Sequence, residues 1–226
     1  MNYKIFPLGS NALTIEFGSE ISVELNNRVL RLADFFNHNS FPGFFEIIPA
    51  YASLTVFYDV LTVRKNFTEF STAFAAVKNF TEKALLNLDN FTETVSRSIE
   101  IPVSFDTERA LDLAFVAAEN NLTGKEVIEI FLGKIYRVYM LGFLPGFAYM
   151  GEVDERIAAP RKQAPRVKVP QGSIGIAGKQ TGIYSLESPG GWQIIGRTNV
   201  ELFTPNAETP TFLQAGDAVK FCQADF

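Results

Sequence analysis

Reactive side chains are scarce in this sequence. One cysteine, Cys222, and one histidine, His38, stand among 226 residues. A lone cysteine excludes an internal disulfide framework and fits a reducing compartment, so the expected location is cytoplasmic. One His and one Cys leave no zinc constellation and no Ser-His-Asp or Cys-His arrangement. His38 reads as a surface residue near a helix C-terminus, and Cys222 as a small core residue of a terminal strand. Neither G-x-x-x-x-G-K-[ST] nor G-x-G-x-x-G occurs; Gly175-Ile176-Ala177-Gly178-Lys179 looks similar but lacks the spacing. There is no run of 18 apolar residues, so no membrane span is expected, and the segment around Lys4 reads as no secretion signal. Positive charge is not in excess either. A formal charge of −5 and a pI near 5.1 argue against a nucleic-acid partner.

Apolar residues, by contrast, are plentiful: 47% of the chain is hydrophobic and 22 residues are phenylalanine, enough to fill one large core or two small ones. The first hundred residues alternate strand and helix signals. Tyr3–Leu8 and Ala12–Phe17 form a hairpin around Gly9-Ser10-Asn11. Ile21, Leu25, Val29, Leu32 and Phe36 recur at helical spacing, with an end near Asn37 to Asn39. Phe44–Ala50 and Ser53–Tyr58 read as a second strand pair. Phe67, Phe70, Phe74, Val77, Phe80, Ala84 and Leu88 line one long helix, and a final strand runs through Val95–Val103. Four Asn-x-Thr triplets, at Asn66, Asn79, Asn90 and Asn121, read better as local capping signals than as glycosylation sites. Asn66 with Glu69, and Thr123 with Glu126, have helix-cap spacing. Two helices on one face of a mostly antiparallel sheet is the economical arrangement.

A boundary falls near Thr94–Glu100, giving domains 1–95 and 96–226. Beyond it, Ala110–Glu119 and Lys125–Leu132 read as short helices and Tyr136–Leu141 as a strand. Val167–Val169, Ser173–Ala177, Gly182–Tyr184, Gln193–Gly196, Val200–Phe203 and Ala218–Cys222 are short strand candidates, a pattern suggesting a closed or nearly closed β-barrel.

Between Leu141 and Thr198 lie ten of the sixteen glycines, five of the eleven prolines and the only tryptophan. Such density sacrifices regular structure for a particular backbone shape, as around a ligand or partner. From Arg156 to Lys168 run Arg156, Arg161, Lys162, Arg166 and Lys168 with no acid among them. They read either as an anion site, with Arg161 and Arg166 beside prolines 160 and 165, or as a solvated basic loop paired with Glu152, Asp154 and Glu155. Ser188-Pro189-Gly190-Gly191-Trp192 can present backbone N–H groups to an anion or oxyanion, while Trp192 serves equally as a barrel plug. Gln180, Thr181, Tyr184 and Arg197 add polar groups to the same block. Gly142-Phe143-Leu144-Pro145-Gly146-Phe147 is a rigid aromatic turn, either structural or part of a site.

GFLPGFAYM, PRKQAPRVKVPQGSIGIAG, QTGIY, SPGGW and IGRT resemble the signature of the 5-oxoprolinase B-subunit family, also described as allophanate hydrolase subunit 1 and including KipI-like sporulation kinase inhibitors. The resemblance implies an α+β chain with an N-terminal ferredoxin-like α/β sandwich and a C-terminal cyclophilin-like β-barrel. It implies a non-autonomous subunit of an ATP-dependent enzyme that opens 5-oxo-L-proline to L-glutamate with subunits A and C. ATP then acts at the level of the complex, with no cofactor assigned to this chain and no metal expected. The expected substrate is a small anionic amide, with Arg161 and Arg166 holding its carboxylate or a phosphorylated intermediate and Gln180 and the Gly190-Gly191 amides at its carbonyl. Inhibition of a sensor histidine kinase, or action on an allophanate- or urea-like substrate, are the alternatives. The chain departs from the family at Phe105-Asp106-Thr107, where a Tyr-Gly-Gly stretch is usual, and at Phe131, where a histidine is common. Asp112-Leu113 keeps the family pattern.

Overall fold

The computed structural model describes residues 2–88 and 96–226, and the chain divides into two compact units, Met1–Val95 and Ser96–Phe226. In the first, Gly9 turns the chain at φ 64° between β1 (Lys4–Leu8) and β2 (Ala12–Glu16). Ser22 then caps α1 (Val23–His38), accepting from the Leu25 N–H, and the helix buries Val29, Leu32, Ala33 and Phe36. A second hairpin, β3 (Phe44–Pro49) and β4 (Ser53–Tyr58), completes an antiparallel sheet ordered β1-β2-β4-β3. Leu54, Val56 and Tyr58 alternate inward along β4. Phe36 is fully buried and stacks on Phe44 at 6.0 Å.

The long helix expected from Phe67 to Leu88 is instead two helices, α2 (Val60–Asn66) and α3 (Ala73–Leu85). Asn66 does not start a helix. It ends α2, donating from its side chain to the Thr62 carbonyl, while Thr72 caps α3 by accepting from the Ala75 N–H. Phe67 and Phe70 lie in the connection yet still pack against the core, which is why their spacing mimics a continuing stripe. The triplet at Asn90 lies outside the described residues.

The second unit opens with β5 (Ser98–Val103), so the strand expected at Val95–Val103 belongs here, and Val95 is outside the described residues. Helices α4 (Leu113–Glu119) and α5 (Gly124–Leu132) follow, the second held by a reciprocal capping box between Thr123 and Glu126. The strands are β6 (Ile135–Leu141), β7 (Ala148–Met150), β8 (Arg166–Val169), β9 (Ser173–Ala177), β10 (Gln180–Ile183), β11 (Ser188–Gly190), β12 (Gln193–Arg197) and β13 (Ala218–Gln223). Six of them join β5 in one curled seven-stranded sheet, β12-β9-β10-β7-β6-β13-β5, and β8 pairs with β11 beside it. The two edge strands of the curl meet: Ser104 and Arg197 exchange backbone hydrogen bonds of 2.9 and 3.0 Å. Gly196 is at this seam, where a Cβ would come within 2.8 Å of Val103.

Val200–Phe203 is not a strand; only an isolated bridge joins Phe203 to Thr211. Phe131 is fully buried against Tyr136 and Phe221, with ring centroids 5.0 and 4.9 Å away. That position is core in this chain. Cys222, expected in the core, is only half-buried.

Candidate functional site

The β6–β7 connection is built from two successive turns. Leu144 donates to the Gly142 carbonyl across Phe143, whose φ is 68°, a three-residue turn rarely held by a residue with a side chain. Phe147 then donates to the Leu144 carbonyl across Pro145-Gly146, with Gly146 at φ 76°, as a type II turn requires. The result leaves Phe143 60% exposed while Phe147 is buried.

Phe147 is the centre of an aromatic cluster. Its ring lies 4.7 Å from Tyr149, 5.2 Å from Tyr184 and 5.6 Å from Trp192, with the last two edge-on. The glycines of the block make room for these rings. A Cβ on Gly182 would come within 2.8 Å of Phe147, on Gly175 within 2.9 Å of Trp192, and on Gly190 within 2.8 Å of the Tyr184 ring. The sequence therefore reads as glycine-rich because aromatic side chains rest directly on backbone.

Above the cluster opens a cavity of about 300 Å³. Phe147, Tyr149, Tyr184 and Trp192 form its walls, Pro189-Gly190-Gly191 one rim, and Arg161 with Lys162 and Pro165 the other. The Arg161 guanidinium sits over the Trp192 ring at 5.7 Å, and among the described residues it forms no salt bridge. Burial pushes the Tyr184 and Tyr149 hydroxyls up, and the nearby Arg161 charge acts on both in the opposite sense. Both therefore remain hydroxyl donors at neutral pH.

Behind the basic rim lies a carboxylate to which the sequence alone assigns no role. Asp112 is 5% exposed. Arg166 forks onto both its oxygens at 2.7 Å, Lys162 Nζ approaches at 3.0 Å, and the Ile194 N–H donates at 2.7 Å. The Asp112 N–H returns a bond to the Ile194 carbonyl at 2.7 Å. Burial would raise this carboxyl, but the Arg166, Ile194 and Lys162 donors and the Arg166 charge outweigh it and hold it below the usual carboxylate range. Although Asp112 occupies the N-cap position of α4, its side chain makes no cap bond, because both oxygens are taken. The signal was present in the sequence: an acid inside an otherwise apolar helix start, and an unneutralised basic segment elsewhere.

The expected site residues therefore separate. Arg161, Tyr184, Gly190, Gly191 and Trp192 converge on the cavity. Arg166 stands behind it, committed to Asp112. Gln180 pairs in register with Ala177 at the far end of β10, away from the cavity lining, and the buried Thr181 hydroxyl donates to the Gly175 carbonyl. Ser188 is buried and donates to the Pro189 carbonyl. Arg197 closes the sheet seam and faces a separate shallow cleft with Gln171 and Asn199. The other basic residues find acids: Arg156 pairs with Asp154, Lys168 with Glu187, and Lys179 with Glu155. His38 is an exposed last-turn residue beside Asp34. Among the described residues no cluster of His, Cys, Asp and Glu could hold a metal ion, and no helix is long and apolar enough to cross a membrane.

Comparison with known proteins agrees along the chain. The family described as carboxyltransferase domain, subdomain C and D, matches residues 3–213. The 5-oxoprolinase B subunit of Bacillus subtilis (strain 168) is 47% identical over 222 residues, covering 98% of this chain and 92% of that protein. The 5-oxoprolinase B subunit of Escherichia coli O157:H7 is 36% identical over 218 residues, 96% and 94% of the two chains. The crystal structure of TTHA0988 superimposes with a TM-score of 0.79 at 35% identity, covering 95% of this chain but only 40% of that one. Identity of this extent over nearly the whole length, together with the match to the carboxyltransferase subdomains, places the chain in the 5-oxoprolinase B-subunit family.

Proposed function

We propose that this chain is the B subunit of an ATP-dependent 5-oxoprolinase and supplies the small-molecule pocket of a complex that opens 5-oxo-L-proline to L-glutamate with subunits A and C. The observation that carries the reading is Arg161. Among the described residues its guanidinium has no carboxylate partner, and it lies over an indole, at the edge of a cavity whose other walls are aromatic rings and glycine backbone. A five-membered lactam carboxylate complements those features. The carboxylate takes the guanidinium fork, and the ring lies against Trp192 and Phe147. Tyr184 and the Gly191 amide are the donors assigned to the lactam carbonyl. Enclosure by aromatic walls lowers the local dielectric and strengthens each of these contacts.

No general base is assigned within the cavity, since Tyr149 and Tyr184 both stay protonated. The lining does not fit a triphosphate, because Lys162 is already bound to Asp112 and only Arg161 remains. We therefore assign ATP to the partner chains. Of the two arginines expected to hold the substrate, Arg161 keeps that role and Arg166 does not.

The same reading takes residues 1–95 and 96–226 as two folding domains. The sheet order β1-β2-β4-β3 supports a ferredoxin-like sandwich in which β1 fills the place of the usual last strand. The Ser104–Arg197 seam supports a cyclophilin-like barrel. The lone Cys222 supports a cytoplasmic setting.

The test is ATP-dependent glutamate release by the complex reconstituted with Arg161→Met. Loss of one hydrogen bond to a charged group is worth about 1.5–3 kcal/mol, so KM should rise roughly 10- to 150-fold with the melting temperature unchanged. Unchanged KM and kcat would remove Arg161, and the reading with it.

A further inference from the structure

We infer that Asp112 is a positioning residue for the pocket, orienting Arg161 by holding the neighbouring Lys162 and Arg166 in place. The inference rests on the reading that Arg161 faces the substrate. Arg161 is carried on an irregular strap between Ile157 and β8. That strap is tied where Gly178 donates to the Ala159 carbonyl at 2.7 Å, Gln193 Nε2 to the Pro160 carbonyl at 2.8 Å, and the Lys162 N–H to the Gly191 carbonyl at 2.8 Å. Beyond these backbone ties, the residues flanking Arg161 are fixed through one carboxylate. Lys162 Nζ and the Arg166 guanidinium both end on Asp112, which is itself locked to β12 through Ile194 in both directions. Among the described residues Arg161 has only the Trp192 face as a partner, so its location follows from the strap beneath it.

Charge makes the inference sharp. Neutralising Asp112 leaves Lys162 and Arg166 uncompensated beside the cavity. If the carboxylate acted through its field alone, an anionic ligand would then bind more tightly. If it acts by positioning, the ligand binds more weakly, because the strap and its guanidinium lose their fixed geometry.

Trp192 is the only tryptophan in the chain and lies under Arg161, so its fluorescence reads the pocket directly. The experiment compares the full chain with Arg161→Met, Asp112→Asn and the double variant. Without ligand, Asp112→Asn should shift Trp192 emission and acrylamide quenching toward those of Arg161→Met, and the double variant should match Arg161→Met. In titrations with 5-oxo-L-proline, Asp112→Asn should weaken binding about tenfold and add nothing in the Arg161→Met background. A folded Asp112→Asn chain with wild-type Trp192 signals, or with tighter binding, overturns the inference. If Asp112→Asn does not fold, Lys162→Met cuts the strap from a carboxylate still paired with Arg166, and wild-type Trp192 signals in that variant overturn the inference equally. If wild-type protein ignores 5-oxoproline while the ligand-free shift is present, the substrate reading fails and the positioning role stands.

Discussion

Alanine at Gly190 would place a methyl carbon within 2.8 Å of Tyr184 Cζ and 2.9 Å of Cε1, and closer still to the hydroxyl. Ordinary contacts between such atoms begin near 3.5 Å, and Tyr184 has little room to retreat. It is 1% exposed and edge-on to Phe147. Overpacking of this kind costs about 1–3 kcal/mol. Gly190→Ala should therefore destabilise the second unit by about 2 kcal/mol, roughly 8 °C in Tm. Tyr184→Phe alone should cost less than about 1 kcal/mol. In the double variant the clashing oxygen is gone, so the combined loss should fall short of the sum by at least about 1 kcal/mol. Gly142→Ala is the control: nothing lies within 4 Å of its Cβ, and the change should stay within about 0.5 kcal/mol. Urea unfolding followed by Trp192 emission reports the second unit specifically. Strict additivity of the two substitutions, or a neutral Gly190→Ala, would refute the claim that the glycines exist to seat the rings.

Two further outcomes follow from the geometry. Asp112 titrates below its ordinary value in the folded state, so its stabilisation is complete above the unfolded carboxyl pKa near 4 and is lost as pH falls through the lower folded value. The stability difference between wild type and Asp112→Asn should be constant from about pH 5 upward and shrink below about pH 4 in thermal melts; a difference independent of pH down to about 2 would contradict the assigned hydrogen bonds. Thr123→Ala removes one half of the capping box on α5 and should cost about 1 kcal/mol in chemical denaturation, with pocket fluorescence unchanged.

Hairpins and amphipathic faces were legible from sequence because their periods are local. The turn at Gly9, the α1 face through Phe36 and the Thr123 cap could be read without knowing the rest of the molecule. The break between α2 and α3 was not, since Phe67 and Phe70 reach the same core from a loop as they would from a helix. In the glycine-rich block, composition announced an unusual backbone but not its purpose. Arg161 and Arg166 look alike in the chain, each beside or just after a proline. Only the packing of α4 against β12, which brings Asp112 to the rear of the strap, separates the cation that faces the cavity from the one that secures it. Short strands such as β7 and β11 carry too few residues to show any period, and their pairing is fixed by partners distant in sequence.

The position of β13 bears on how the protein is made. It lies between β6 and β5, parallel to a partner that leaves the ribosome more than a hundred residues earlier. Until it emerges, β5 and β6 have no strand to join them, and the curl cannot close on itself. Nascent chains should therefore hold the first unit folded while the second waits, exposing apolar strand edges to chaperones for most of its synthesis.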